Sequence, residues 1–182
     1  MTAAERMENV GKLRPQLVRF ARTRLRNPAH AEDAVQETLL AAIENIESYS
    51  GGASLFSWLT GILKHKIVNY FRRSARDQWQ AMDTDGTPLK SNDRECAAMD
   101  GGAGWSGPEQ ALARRQLEAA LTRCLQELPE RTADTFVLRE LVGMNTAETC
   151  SALAVSESNC AVMLHRARSR IRASLDPDWM AP

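Results

Sequence analysis

No two of the four cysteines in this chain, Cys96, Cys124, Cys150 and Cys160, stand close enough to form a CxxC pair. That spacing argues against a zinc ribbon and a disulfide framework, and it suits thiols kept reduced. Long apolar runs are also missing, so no segment reads as a bilayer span. The opening MTAAERMENVGKLR has no hydrophobic stretch of the kind that directs secretion, and a cytoplasmic location is the expectation. Histidines are only His30, His65 and His165, scattered along the chain. No paired carboxylates, nucleophile–base set or phosphate-cradling glycine loop accompany them. The sequence therefore offers no footing for an enzyme, a metal centre or a bound cofactor. Aromatic residues are scarce, ten in 182 residues, and unevenly placed.

Five of those ten, Tyr49, Phe56, Trp58, Tyr70 and Phe71, fall between positions 49 and 71. In LFSWLTGILKHKIVNYFRR, residues 55–73, Phe56, Leu59, Leu63, Ile67 and Tyr70 recur at steps of three and four, which predicts a helix with one stripe toward a core. Lys64, His65, Lys66, Asn69, Arg72 and Arg73 lie off that stripe. Aromatics interleaved with cations suit a surface that stacks unpaired bases and balances phosphate charge. An ordinary amphipathic helix with a solvated basic face has the same pattern, so the rest of the chain must decide.

Zero net charge conceals segregation. Residues 1–76 hold 12 Lys and Arg against 7 Asp and Glu, whereas residues 77–109 hold 2 against 7. Residues 110–182 balance at 9 against 9, with Arg166, Arg168, Arg170 and Arg172 gathered near the end. Such a pattern gives two ends that can meet a polyanion and a middle that avoids one. The middle also holds five of the ten glycines and little periodicity, and it reads as a linker. As a coil, its length spans on average about 30 Å, so it cannot fix the spacing of two contacts by itself.

Along the chain, Val10, Leu13, Leu17, Phe20, Ala21 and Leu25 predict a first helix, with Pro15 at a start or kink. Asn27-Pro28 breaks the chain, with Asn27 ending that helix and Pro28 opening the next. Ala31, Val35, Leu39, Ala42, Ile43 and Ile46 form the next inward stripe, opposite Glu32, Asp33, Gln36, Glu37 and Glu44. After the linker, Pro108 and Pro129 suit helix starts, Leu117, Leu121, Cys124 and Leu128 form an inward stripe, and Gly143 suits a stop. Asn145 to Glu148 has the form of a capping box. A short helix to Leu153, a tight turn at Ala154-Val155-Ser156 and a longer helix from Glu157 then spell a helix-turn-helix. Cys160, Leu164, Ala167 and Ile171 point inward, leaving Ser158, Asn159, Val162, His165 and Arg166 for a major groove and Arg168, Arg170 and Arg172 for phosphates. The expected fold is all-α, with two small helical domains at 1–76 and 109–176, a linker at 77–108 and a tail at 177–182.

Two separate passages resemble one family. DAVQETLLAAI with FSWLTGILKHKIVNYFRR resembles region two of bacterial RNA polymerase sigma factors. LQELPERTADTFVLRELVGM, the helix-turn-helix and LHRARSRIR resemble region four. Two such regions with no folded domain between them look like the extracytoplasmic-function group. The resemblance implies that Asp33, Gln36, Glu37 and Leu39 dock on the β′ clamp helices of core polymerase, with the β subunit as a further partner. It implies that Tyr49, Ser54, Phe56, Trp58, Lys64, Asn69, Arg72 and Arg73 melt and hold the −10 element of promoter DNA. It also implies that Ser158, Asn159, Val162, His165, Arg166, Arg168 and Arg170 read the −35 element, and that an anti-sigma protein restrains the whole in a stress response. No cofactor, small-molecule substrate or membrane insertion is implied.

The chain departs from the family where Lys or Arg is common before the Leu-His-Arg of the last helix, since Ala161, Val162 and Met163 stand there. Ala154 occupies a turn position often given to glycine, and Cys150 is the small residue packed before it. Val162 in that setting suits a thymine methyl better than a guanine edge. A stand-alone helix-turn-helix regulator is the alternative reading. It would need a dimer to read paired half-sites, and no dimerisation heptad is visible.

Overall fold

The structure, a computed structural model, describes residues 3–80 and 108–175. The linker expected at 77–108 and the tail at 177–182 therefore lie, except for the linker's ends, outside the described residues. Among those described, every regular element is helical: α1 Ala3–Lys12, α2 Arg14–Arg22, α3 Pro28–Glu44, a 3-10 turn Ile46–Ser48, α4 Leu55–Gln80, α5 Pro108–Glu127, α6 Glu130–Phe136 running into a π turn Val137–Val142, α7 Thr146–Leu153 and α8 Glu157–Ser174. The chain divides into two compact units. Described residues up to Asn69 belong to the first and those from Tyr70 to the second, so the division falls inside α4 and not at residue 76.

In the first unit the predicted opening helix is two helices, broken at Leu13. Pro15 explains the break, because it has no N–H to donate and its ring would clash with the carbonyl four residues back. Asn27 does not end α2 as expected. It caps α3, its side chain accepting a hydrogen bond from the Ala29 N–H at 2.9 Å, with Pro28 in the first turn. Leu17, Val35, Leu59, Leu63 and Ile67 lie fully buried at the centre. Each such aliphatic side chain stabilises the fold by roughly 2 kcal/mol. Thr38 is buried with them and satisfies its hydroxyl on the Ala34 carbonyl, 2.7 Å away.

Two expectations fail here. Ile43, placed on the inward stripe of α3, is 44% exposed. Lys64, placed on the outer face of α4, is only 4% exposed. The buried surface of α4 is two adjacent rows, Leu59, Leu63, Ile67 and Thr60, Lys64, Val68, because the helix is covered on more than one side. In the part of α4 that belongs to the second unit a third expectation fails: Phe71 is buried and Tyr70 half-buried, the reverse of the predicted stripe, and their rings meet edge-on at 5.5 Å.

The second unit is built on the predicted punctuation. Pro129 precedes α6, and Gly143 closes the π turn in the left-handed region at φ 89°. The capping box forms as predicted: the Asn145 side chain accepts from the Glu148 N–H at 2.8 Å, and the Glu148 carboxylate accepts from the Asn145 N–H at 2.9 Å. Ala154 ends α7 at φ 52°, and Ser156 caps α8. Leu138, Val142, Leu153, Cys160, Leu164 and Ala167 form the interior. Leu117, expected inward, is 38% exposed, since the fully buried positions of α5, Cys124 and Leu125, lie in its last turn, followed by Leu128 just after it.

Candidate nucleic-acid interface

The outer face of α3 carries Asp33, Gln36, Glu37, Leu40 and Ile43 at helical steps, all exposed. Glu32, one turn in, is taken by the fold: its oxygens lie 2.7 Å from Arg14 Nη2 and 3.2 Å from Arg22 Nη2. Glu37 meets Lys66 of α4 at 3.2 Å. Leu39, a predicted docking residue, is half-buried, while Leu40 beside it is 62% exposed. The face is thus acidic and apolar together, suited to a partner that offers cations around an apolar contact. Sequence reasoning missed both apolar members: Ile43 falls on the predicted inward stripe, and the only signal for Leu40 was an apolar residue among Asp33, Gln36 and Glu37 on the wheel.

Before α4 the chain turns through Gly51, at φ 80°, a backbone conformation that glycine tolerates without strain. Tyr49 holds this loop from beneath. Its hydroxyl donates to the Ala53 carbonyl, and its ring lies 5.4 Å from that of Trp58. Tyr49 is therefore an 8%-exposed strut, not the open stacking platform expected of it. Ser54 is likewise engaged: its hydroxyl accepts from the Ser57 N–H at 3.1 Å and lies 2.8 Å from the Ser57 hydroxyl, fixing the first turn of α4. Phe56 and Trp58 remain partly open. Down α4 the exposed positions are His65, Asn69, Arg73, Arg76 and the single acidic Asp77, with Arg72 half-buried next to them. These repeat at steps of three and four and make one polar, cationic stripe. His65 and Arg76 thus join the predicted Asn69, Arg72 and Arg73, and buried Lys64 does not.

In the second unit α7, the turn and α8 form the helix-turn-helix. Asn159, Val162, His165, Arg166 and Arg170 are exposed along the outer side of α8. Ser158 is exposed too, its hydroxyl 3.2 Å from that of the capping Ser156. Arg168, expected at phosphates, is exposed and engaged on one side. It is ion-paired with Glu140 of the π turn, which pins α8 to the segment before the helix-turn-helix. Met163 is buried, so only Ala161 and Val162 of the three departing positions face outward. Arg139 donates to the Met144 carbonyl at 3.0 Å and shapes the approach to α7.

Cys150 of α7 and Cys160 of α8 pack together with Leu164 beneath the turn, against Val155. Burial, then a hydrogen bond to Cys160, pushes the Cys150 thiol up to about 11. At neutral pH it is a protonated packing group and a poor nucleophile.

A helix-turn-helix with cations along its outer side, beside a second helical unit with an exposed face that is acidic and partly apolar, defines a DNA-binding protein with more than one contact surface. Residues 10–77 match Sigma-70 region 2, and residues 118–171 match Sigma-70 region 4. The chain is 30% identical over 166 residues to the ECF RNA polymerase sigma factor ShbA of Streptomyces griseus, covering 87% of this chain and 81% of that one. It is 28% identical over 168 residues to the ECF RNA polymerase sigma factor SigD of Mycobacterium tuberculosis, covering 88% and 72%. A probable RNA polymerase sigma factor of Haemophilus influenzae is 25% identical over 173 residues, covering 90% and 86%. The chain belongs to the extracytoplasmic-function group of RNA polymerase sigma factors.

Proposed function

We propose that this chain is a promoter-specificity subunit that docks on core RNA polymerase, opens the −10 element with α4 and the loop before it, and grips −35 duplex with its helix-turn-helix. The observation that carries this reading is the presence of both regions, in order, on one short chain. In detail, Asp33, Gln36, Glu37, Leu40 and Ile43 form the docking face for the β′ clamp helices. Phe56 and Trp58 receive unstacked bases, while Asn69, Arg72 and Arg73, with His65 and Arg76, follow the displaced strand. Extruding a base costs a few kcal/mol, and stacking on an aromatic ring returns about 1–3 kcal/mol, so the exchange balances. The −35 duplex lies against α8, with the β subunit of the core beside this unit.

Bond-making chemistry belongs to the polymerase; the chain supplies recognition and strand separation and works where the core works, in the bacterial cytoplasm. An anti-sigma protein covering a docking face would hold it inactive until a stress signal removes it. The test is co-purification from native cells: a tagged chain should bring core polymerase with it, and the Asp33→Lys, Glu37→Lys variant should not. Equal recovery of core by both proteins would reject the docking face.

A further inference from the structure

We infer that Val162 reads the 5-methyl group of a thymine, and that with Asn159 it makes the leading half of α8 a reader of A·T pairs. The inference rests on the reading above that α8 lies in the promoter major groove.

From Glu157 to Leu164 the helix carries no Lys or Arg, and its first cation is Arg166 in the third turn. Direct recognition of guanine uses Arg or Lys set bidentate on O6 and N7, and this half of the helix has neither. What it presents is Glu157, Ser158, Asn159, Ala161 and Val162, all exposed, Val162 at 46%. Asn159 and Val162 lie within about 60° of each other around the helix, and Glu157, the one group here suited to cytosine, is turned well over about 90° from both. A β-branched side chain in a helix holds one χ1 rotamer, so the Val162 methyls are aimed before any partner arrives. The thymine methyl is the apolar feature of the major groove that such a side chain can cover. Asn159 carries the donor and acceptor that match adenine N6 and N7. The two residues are three positions apart, about 4.5 Å along the axis, close to the roughly 3.4 Å step between base pairs. That spacing lets them reach the same or neighbouring pairs.

The surroundings favour DNA over a protein partner. The next apolar residue, Met163, is buried, and Ser158, Ala161 and His165 flank Val162. A single valine among small and polar groups is too small a patch for a protein contact, yet it fits one methyl group.

The test uses the full chain bound to bacterial core polymerase. A −35 element is first selected from randomised duplexes, and each of its thymines is then replaced by deoxyuridine, which differs only in lacking the 5-methyl. One replacement should weaken binding about four-fold, the effect of one buried methyl-sized group. Val162→Ala should bind the thymine and deoxyuridine duplexes equally, and Val162→Ile should keep the difference. Both variants should retain wild-type association with core, because Val162 lies outside the packed interior. A selected element indifferent to deoxyuridine at every thymine overturns the assignment, as does an effect that survives in Val162→Ala. If the assembly selects no duplex element at all, the sigma reading falls together with it.

Discussion

Lys66 Nζ stands 3.2 Å from Glu37 Oε2, joining α4 to α3 through an ion pair that remains partly open to water. A pair this exposed contributes at most about 1 kcal/mol, so breaking it does not threaten the fold. Glu37 can therefore exchange its partner for a cation on another protein at little cost.

Asp33→Lys with Glu37→Lys should abolish retention of core polymerase while changing stability by less than about 1 kcal/mol. Thermal melting and pull-down with core measure the two effects separately. Lys66→Gln should leave retention intact; loss of docking in that variant would show that the ion pair, not the open carboxylates, holds the face together.

Leu40 and Leu63 differ in burial, and their alanine variants should differ in kind. Leu63→Ala removes a fully buried side chain and should cost about 2–5 kcal/mol. Leu40→Ala should lie within about 0.5 kcal/mol of the parent in stability, yet weaken core binding on the order of tenfold. Denaturant titration and affinity for core distinguish them, and a destabilised Leu40→Ala would contradict its exposed placement.

Replacing Arg72 and Arg73 together with alanine should weaken promoter opening. It should also flatten the logarithmic salt dependence by about 1.4, since each phosphate contact on a single strand is worth about 0.7. Opening that keeps its rate and salt slope would remove both residues from the strand path.

Ala154 sits in the left-handed region at φ 52°, where a side chain costs roughly 1–2 kcal/mol. Glycine removes that cost but loosens the unfolded chain by about 0.4–1 kcal/mol. Ala154→Gly should therefore be more stable by somewhat under 1 kcal/mol, seen as a higher melting temperature with unchanged core binding. A less stable variant would contradict the turn geometry.

The Cys150 thiol is raised from 9.0 to about 11 by burial first and by its hydrogen bond to Cys160 second. An acid whose folded pKa is raised keeps its proton longer when folded. Its stabilising contribution is complete below about 9 and is lost as pH climbs toward 11. Stability should fall over that window by more in the parent than in Cys150→Ala, and folded Cys150 should resist iodoacetamide at pH 8. Rapid alkylation at pH 8 would show an accessible, ionised thiol.

Local chemistry was legible in the residues. The Asn145–Glu148 box, the breaks at Pro15 and Pro28 and the turn at Ala154 each depend on neighbours in sequence, and each forms. The failures are tertiary. A helical wheel for α4 finds one apolar stripe, but it cannot know that a second row through Thr60, Lys64 and Val68 is also covered. Tyr49 reads as an exposed aromatic until its hydroxyl finds Ala53 and its ring meets Trp58. The ion pair of Arg168 was not visible in the sequence because its partner, Glu140, lies 28 residues away. The outer face of α3 was half legible: its carboxylates stood out, while Ile43 falls on the predicted inward stripe and Leu40 has no place in either pattern.

The most direct measurement is run-off transcription from native genomic fragments, with core polymerase alone, the chain alone, and both together. The account predicts discrete promoter-dependent transcripts, with unpaired bases at −10, only when both are present, and weak, unselective duplex binding by the chain alone. A tight, sequence-specific duplex complex formed by the chain without core, together with no new transcript when core is added, would contradict it.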